Sequence, residues 1–96
     1  MNMAGRFRRM DSVAARQIAG ESFLIPVCGQ PGEMENIFVL NPLGDFIWQR
    51  LDGEHTLDMV VSAIVEAFAV EREQASNDVA EFMERLLANR LAEEIA

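Results

Sequence analysis

The segment from Leu40 to Thr56 constrains the fold more than any other, because it names where a helix starts, where it stops and what flanks it. Asn41 is a strong N-cap, since its side-chain oxygen can accept from an orphan N–H of the first turn. Pro42 suits the first helical position, where a missing N–H is no loss. Leu43, Phe46, Ile47 and Leu51 follow at spacings of three and four, an apolar stripe that Trp48, the sole Trp, widens. Asp52-Gly53 is a stop signal, because Gly tolerates the positive φ that ends helices. Thr56 can then cap a second helix. Immediately upstream, Ile37-Phe38-Val39-Leu40 is a short apolar run of strand formers. A chain punctuated this way changes from a strand-bearing half to a helical half.

The upstream half reads as three strands. Val13–Ile18 is a weak strand, Gly20 with Glu21 a turn, and Phe23-Leu24-Ile25-Pro26-Val27 a stronger strand. Pro26 cannot donate to a ladder, so the second strand is expected to lie at an edge or bulge there. Residues 29–36 are turn-rich and charged, as in an exposed loop, and Ile37–Leu40 is the third strand. Residues 1–12 mix Met, Gly and Arg without periodicity and are expected to form a flexible arm outside a domain spanning 13–96. Three short strands are marginal alone, so helices must cover one face.

The downstream half supplies them. Leu57, Val60, Val61, Ile64, Val65 and Phe68 share one helical face, with Asp58 near the positive end of the dipole. A last helix is predicted from near Arg72, with Val79, Phe82, Met83, Leu86 and Leu87 inward and Glu73, Asp78, Glu81, Glu84 and Arg85 outward. Asn89 is expected in the left-handed cap position, with Leu91 and Ile95 packing back. The predicted class is α+β: three N-terminal antiparallel strands followed by three helices, a winged helix-turn-helix-like order.

Composition narrows the function. Residues 1–20 hold four Arg and one acid, whereas the rest hold four Arg and fifteen acids, and there is no Lys. An acidic body repels phosphate backbones, so nucleic acid is not an expected partner. No apolar run approaches ~18 residues, so no membrane span is expected. The Arg-bearing N-terminus has no apolar segment behind it, and the lone Cys28 forms no internal disulfide; both fit the cytoplasm. His55 is the single His, read on a charged loop, and one Cys with one His cannot build a closed zinc site. The carboxylates are spread along helix faces, and Gly29, Gly32 and Gly53 do not form a phosphate loop. The reading is a domain that is not an enzyme and carries no metal or cofactor.

Such a domain works by binding. A strand with an unpaired edge can accept an extended peptide as a further strand. A winged helix-turn-helix could instead read DNA with its last helix, although that helix exposes acids. Amphipathic helices could also form an oligomer core, and a bare strand edge allows a homodimer by self-pairing or domain swap.

The run LNPLGDFIWQRLDGEHTLDMVVSAI, preceded by Gly20-Glu21 and Phe23-Leu24-Ile25 and followed by Asp78-Val79, Phe82 and Leu86, resembles the PqqD-like family over about residues 13 to 92. The resemblance implies a winged-helix peptide-binding domain, also called a RiPP recognition element. Such a domain acts as a peptide chaperone, holding the leader of a ribosomally made precursor peptide and presenting it to a modifying enzyme, often a radical-SAM protein. In the pyrroloquinoline quinone (PQQ) pathway that precursor supplies a Glu and a Tyr for cross-linking. The wording Asn41-Pro42-Leu43-Gly44 is closer to stand-alone members, for which lasso, sactipeptide or thiopeptide pathways are alternatives. Carried over residue by residue, the peptide site is Ile37, Phe38, Val39 and Leu40 on the strand, with Asp78, Val79, Phe82, Arg85 and Leu86 on the last helix.

Overall fold

Residues 2–11, 13–26 and 38–95 are described by the structure, a computed structural model. In chain order the elements are β1 (Arg6–Arg9), β2 (Val13–Ile18), β3 (Glu21–Pro26), β4 (Phe38–Leu40), α1 (Pro42–Gln49), β5 (Asp52–Thr56), α2 (Leu57–Phe68), α3 (Arg72–Ala88) and β6 (Ala92–Ile95). The strands form two antiparallel three-stranded sheets, ordered β2-β3-β4 and β5-β1-β6. The α+β class and the three helices agree with the sequence reading, and the second sheet adds to it. Val27, Cys28, the predicted loop 29–36 and Ile37 lie outside the described residues.

In the first sheet, β2 and β3 pair from Val13 opposite Pro26 to Ile18 opposite Glu21. The turn is Ala19-Gly20, one residue earlier than expected, with φ of 53° and 84°. Two consecutive positive φ values give the primed turn that matches the right-handed twist of a hairpin. Among the described residues β4 pairs with β3 over Ser22–Leu24, and Pro26 ends β3 opposite Val13. Alternation places Leu24, Phe38 and Leu40 on the face toward the helices, and Val39 on the opposite face, 57% exposed.

The second sheet is where sequence and structure part. The segment 1–12, expected to be an arm, supplies its central strand. Arg6 lies opposite Ile95 on β6 and opposite Thr56 on β5, and Phe7 is buried at 2% exposure. The adjoining residues are tied as well, the Gly5 carbonyl accepting from Leu57 N–H and that of Met3 from Asp58 N–H. Asp52–Thr56, read as a helix stop followed by loop, forms β5, with Gly53 at φ 83°, whereas α1 has already ended at Gln49 with Arg50 as its cap, leaving Leu51 outside the helix. A Cβ on Gly53 would stand 2.8 Å from Ile95 Cδ1, the movable tip of an exposed side chain, so the positive φ rather than the space is what favours Gly here.

The helix ends follow their caps. Asn41 Oδ1 accepts from Gly44 N–H at 2.7 Å, and Thr56 Oγ1 from Met59 N–H at 3.2 Å, both as expected. At the end of α3 the left-handed residue is Arg90 (φ 57°), not Asn89 (φ −96°). The cause is a Schellman closure, in which Leu91 N–H donates to the Leu86 carbonyl and Arg90 N–H to that of Leu87. Asn89 instead turns its Nδ2 back onto the Arg85 carbonyl at 2.7 Å. The closure plants Leu91 in the core beside Phe7, Leu24, Trp48, Ile64, Val79, Met83 and Leu86. No helix among the described residues is long and apolar enough to cross a membrane.

Candidate functional site

The first sheet has two free margins, β2 and β4, and among the described residues β4 pairs only with β3. Its other side looks toward α3. Phe38 meets Phe82 of α3 edge-to-face, with ring centroids 6.0 Å apart and planes at 74°, an arrangement that suits aromatic quadrupoles. One helical turn on, the Arg85 guanidinium lies 4.8 Å over the Phe38 ring. Strand and helix therefore converge through side chains rather than backbone bonds.

From the other side α1 closes on the same ring. A Cβ at Gly44 would stand 3.1 Å from Phe82 Cε1 and 3.1 Å from Asn41 Oδ1. The buried Gly inside a helix thus sets how close Phe82 can sit, since a Cβ there would shift the ring by a few tenths of an ångström. Two cavities flank Phe82. The larger, about 550 Å³, lies among the β2–β3 turn, β4 and the start of α1, with Gln17, Ser22, Phe38, Val39, Leu40 and Asn41 on its walls. The smaller, about 280 Å³, lies between α1 and α3, floored by Leu43 and Ile47 and bordered by Asp78 and Glu81. Asn41, Phe82 and Arg85 line both, so the two cavities adjoin along these side chains as two halves of a groove.

Of the residues expected at the site, Phe38, Val39, Leu40, Asp78, Phe82 and Arg85 come together on this groove. Val79 and Leu86 do not. Both are fully buried in the core and line neither cavity, so Leu86 is no pocket for a ligand. Helix periodicity explains the difference: Val79, Met83 and Leu86 form the centre of the apolar stripe, whereas Phe82 lies at its margin. Ile37 lies outside the described residues. The reading from sequence missed Asn41, Gly44, Asp45, Glu21 and Glu81 as groove residues. Gly44 was detectable, as an isolated Gly within an amphipathic pattern.

The groove is acidic overall. Glu21 and Asp45 line the larger cavity and Asp78 and Glu81 the smaller, with Arg85 the cation common to both. Gln74 Nε2 donates to Asp78 Oδ1 at 2.9 Å. The outward residues of α3 that a DNA reader would use are also largely acids, which oppose phosphate.

His55 is placed elsewhere, on β5, with Nδ1 2.8 Å from Asp52 Oδ2. That contact and the N–H groups of Glu54 and His55, which donate to Asp52 Oδ1, hold the Asp52 carboxyl well below the usual carboxylate range. The pair braces the turn into β5. Among the described residues no three His, Cys, Asp or Glu side chains are grouped to hold a metal.

A groove of this build, with a bare strand on one wall and an aromatic and a cation on the other, suits an extended chain. An added strand would lie about 4.8 Å from β4 and alternate its side chains between the sheet's two faces.

The family model for coenzyme PQQ synthesis protein D, PqqD, matches residues 30–92. Two solved structures resemble the chain over nearly its whole length. TbiB1, solved in complex with the TbiA(beta) leader peptide, is 27% identical with a TM-score of 0.74, covering 93% of this chain and 98% of its own. Lasso peptide synthetase B1, complexed with the leader peptide, has a TM-score of 0.76 over 92% of this chain and 98% of its own; at 24% identity it speaks for the fold alone. Among curated proteins none matches significantly.

Proposed function

The chain belongs to the PqqD family, and on that premise we propose that it is a non-catalytic peptide chaperone. It binds the leader of a ribosomally made precursor peptide as an extra strand on β4 and presents it to a modifying enzyme. The observation that carries this reading is the unpaired β4 edge set opposite Phe82 and Arg85 across a groove of about 550 Å³. A leader peptide bound to TbiB1, a protein of the same fold, supports the reading.

The energetics follow from the edge. Each incoming residue can satisfy N–H and C=O groups that β4 otherwise leaves to water, while every second side chain enters the groove beside Phe38 and Phe82. Ordering the guest backbone costs about 1–2 kcal/mol per residue, so affinity is moderate despite many contacts. The partner enzyme is a radical-SAM protein or another peptide-modifying enzyme, in the quinone pathway or a related one, and the assembly works in the cytoplasm. The same edge can pair with a second copy, which would compete with the peptide.

The test is hydrogen exchange and titration calorimetry with the TbiA(beta) leader peptide that TbiB1 binds, and with the leader of any short precursor found encoded beside this chain. Binding should protect the amides of Phe38–Leu40. Phe82→Ala should weaken it roughly tenfold or more, because it removes the aromatic wall common to both cavities. Protection confined to the β5-β1-β6 sheet, with Phe82→Ala binding normally, would overturn the assignment.

A further inference from the structure

Four of the eight arginines hold polar side-chain partners among the described residues, and of the other four, Arg9, Arg16, Arg85 and Arg90, Arg85 is the one that lines the groove. Arg72 pairs with Asp58, Arg8 with Asp11 and Glu93, and Arg6 and Arg50 donate to the carbonyls of Glu54 and Phe46. Arg85 makes no side-chain hydrogen bond or ion pair among the described residues. Its ordinary helical partner would be Glu81, one turn earlier, since Glu before a cation at i,i+4 is a favourable pair. Instead the guanidinium lies over the Phe38 ring. The N–H donors, which all lie in the guanidinium plane, are left without an acceptor among the described residues, at the wall common to both cavities.

We propose that these in-plane donors grip one carboxylate of the bound peptide, and that the carboxylates lining the groove reject any second acid. The proposal deepens the reading of the groove as a peptide site and rests on it. A strand added to β4 runs about 4.8 Å from it, in the gap that Arg85 spans from α3 to Phe38. A guest Asp or Glu on the helix-facing side at that register meets a planar fork that accepts a carboxylate by two parallel bonds. Phe38 holds the fork in place, so little side-chain freedom remains to be lost when the pair forms.

The surroundings set the rest of the code. Glu21 and Asp45 border one cavity, Asp78 and Glu81 the other, and no cation but Arg85 lines either. Within the Debye length, roughly 10 Å at 0.1 M salt, a guest acid at any other position faces these charges without a partner. The ligand is therefore an extended segment with a single carboxylate at one fixed position, apolar residues at alternate positions beside it, and neutral or basic residues elsewhere.

A displayed library of random linear peptides, selected against the wild-type protein and against Arg85→Glu, tests the code without knowledge of the natural leader. Wild type should enrich Asp or Glu at one position relative to the apolar residues and deplete acids around it. Arg85→Glu should enrich Lys or Arg at that same position. For one selected peptide, exchanging its acid for the amide should weaken binding to wild type about tenfold and leave binding to Arg85→Gln unchanged. Both variants should keep the wild-type unfolding midpoint, as expected for an exposed side chain. Enriched peptides with no fixed acid, or the same peptides selected by Arg85→Glu, overturn this inference and leave peptide binding standing. Failure to enrich any peptide overturns both.

Discussion

Phe7→Ala tests whether the N-terminal segment belongs to the fold. Phe7 is the one side chain that β1 sends into the core, at 2% exposure, between neighbours on either side that remain partly or fully in solvent. Removing its ring forfeits about 1.5–3 kcal/mol of transfer free energy, and the cavity left in a close-packed core raises the total to about 3–5 kcal/mol. A domain this size has roughly 5–15 kcal/mol in all, so the loss is a large fraction of it. At about 4–8 °C per kcal/mol, the thermal midpoint should fall by more than about 12 °C. Urea unfolding followed by fluorescence reads this directly, because Trp48 is the sole Trp and is itself buried. Arg6→Ala, an exposed neighbour on the same strand, should change stability by less than about 0.5 kcal/mol. If Phe7→Ala cost under about 1 kcal/mol, or no more than Arg6→Ala, β1 would be a loosely attached arm and the second sheet would lack its centre.

Gly44→Ala gains about 1 kcal/mol of helix propensity but moves the Phe82 ring edge by a few tenths of an ångström into the groove. Its melting temperature should hold or rise while leader affinity falls severalfold in calorimetry; a parallel loss of both would contradict the packing role. Asp52 has its folded pKa depressed, so its contribution is fully present above the unfolded value of about 3.9 and is lost as pH falls below that toward the folded value. Asp52→Asn should therefore be less stable at neutral pH and show a shallower decline below about pH 4, seen in urea midpoints across a pH series. Arg90→Gly relieves a side chain held at φ 57° and should raise stability by about 0.5–1 kcal/mol in the same assay.

The parts of the fold legible in the sequence are those that local chemistry specifies. Asn41-Pro42 starts a helix and Thr56 caps one whatever the tertiary context, and α1 and α2 begin where those residues place them. The second sheet was hidden because each strand is short, and because β1 finds its partners only in distant segments that long-range pairing brings together. Asp52-Gly53 was misread: α1 ends earlier, at Gln49 with Arg50 as its cap, and nothing local shows that the positive φ of Gly53 belongs to a strand. At the groove, Phe38, Asp78, Phe82 and Arg85 were named through family resemblance rather than spacing. Periodicity alone could not separate Phe82, at the margin of the α3 stripe, from Val79 and Leu86 at its centre. The acidic lining of the cavities that Arg85 borders needed coordinates, because Glu21 and Asp45 come to it from elements far away in the chain.

Because β1 and β6 are antiparallel neighbours with Arg6 opposite Ile95, the front of the first strand and the back of the last meet side by side. A short linker could join them into a ring, and the Ala19-Gly20 turn, where Gly20 has open space around it, offers a place to cut new ends. A circularly permuted protein made this way would keep every strand pairing while β1 and β2 leave the ribosome last, after both walls of the groove.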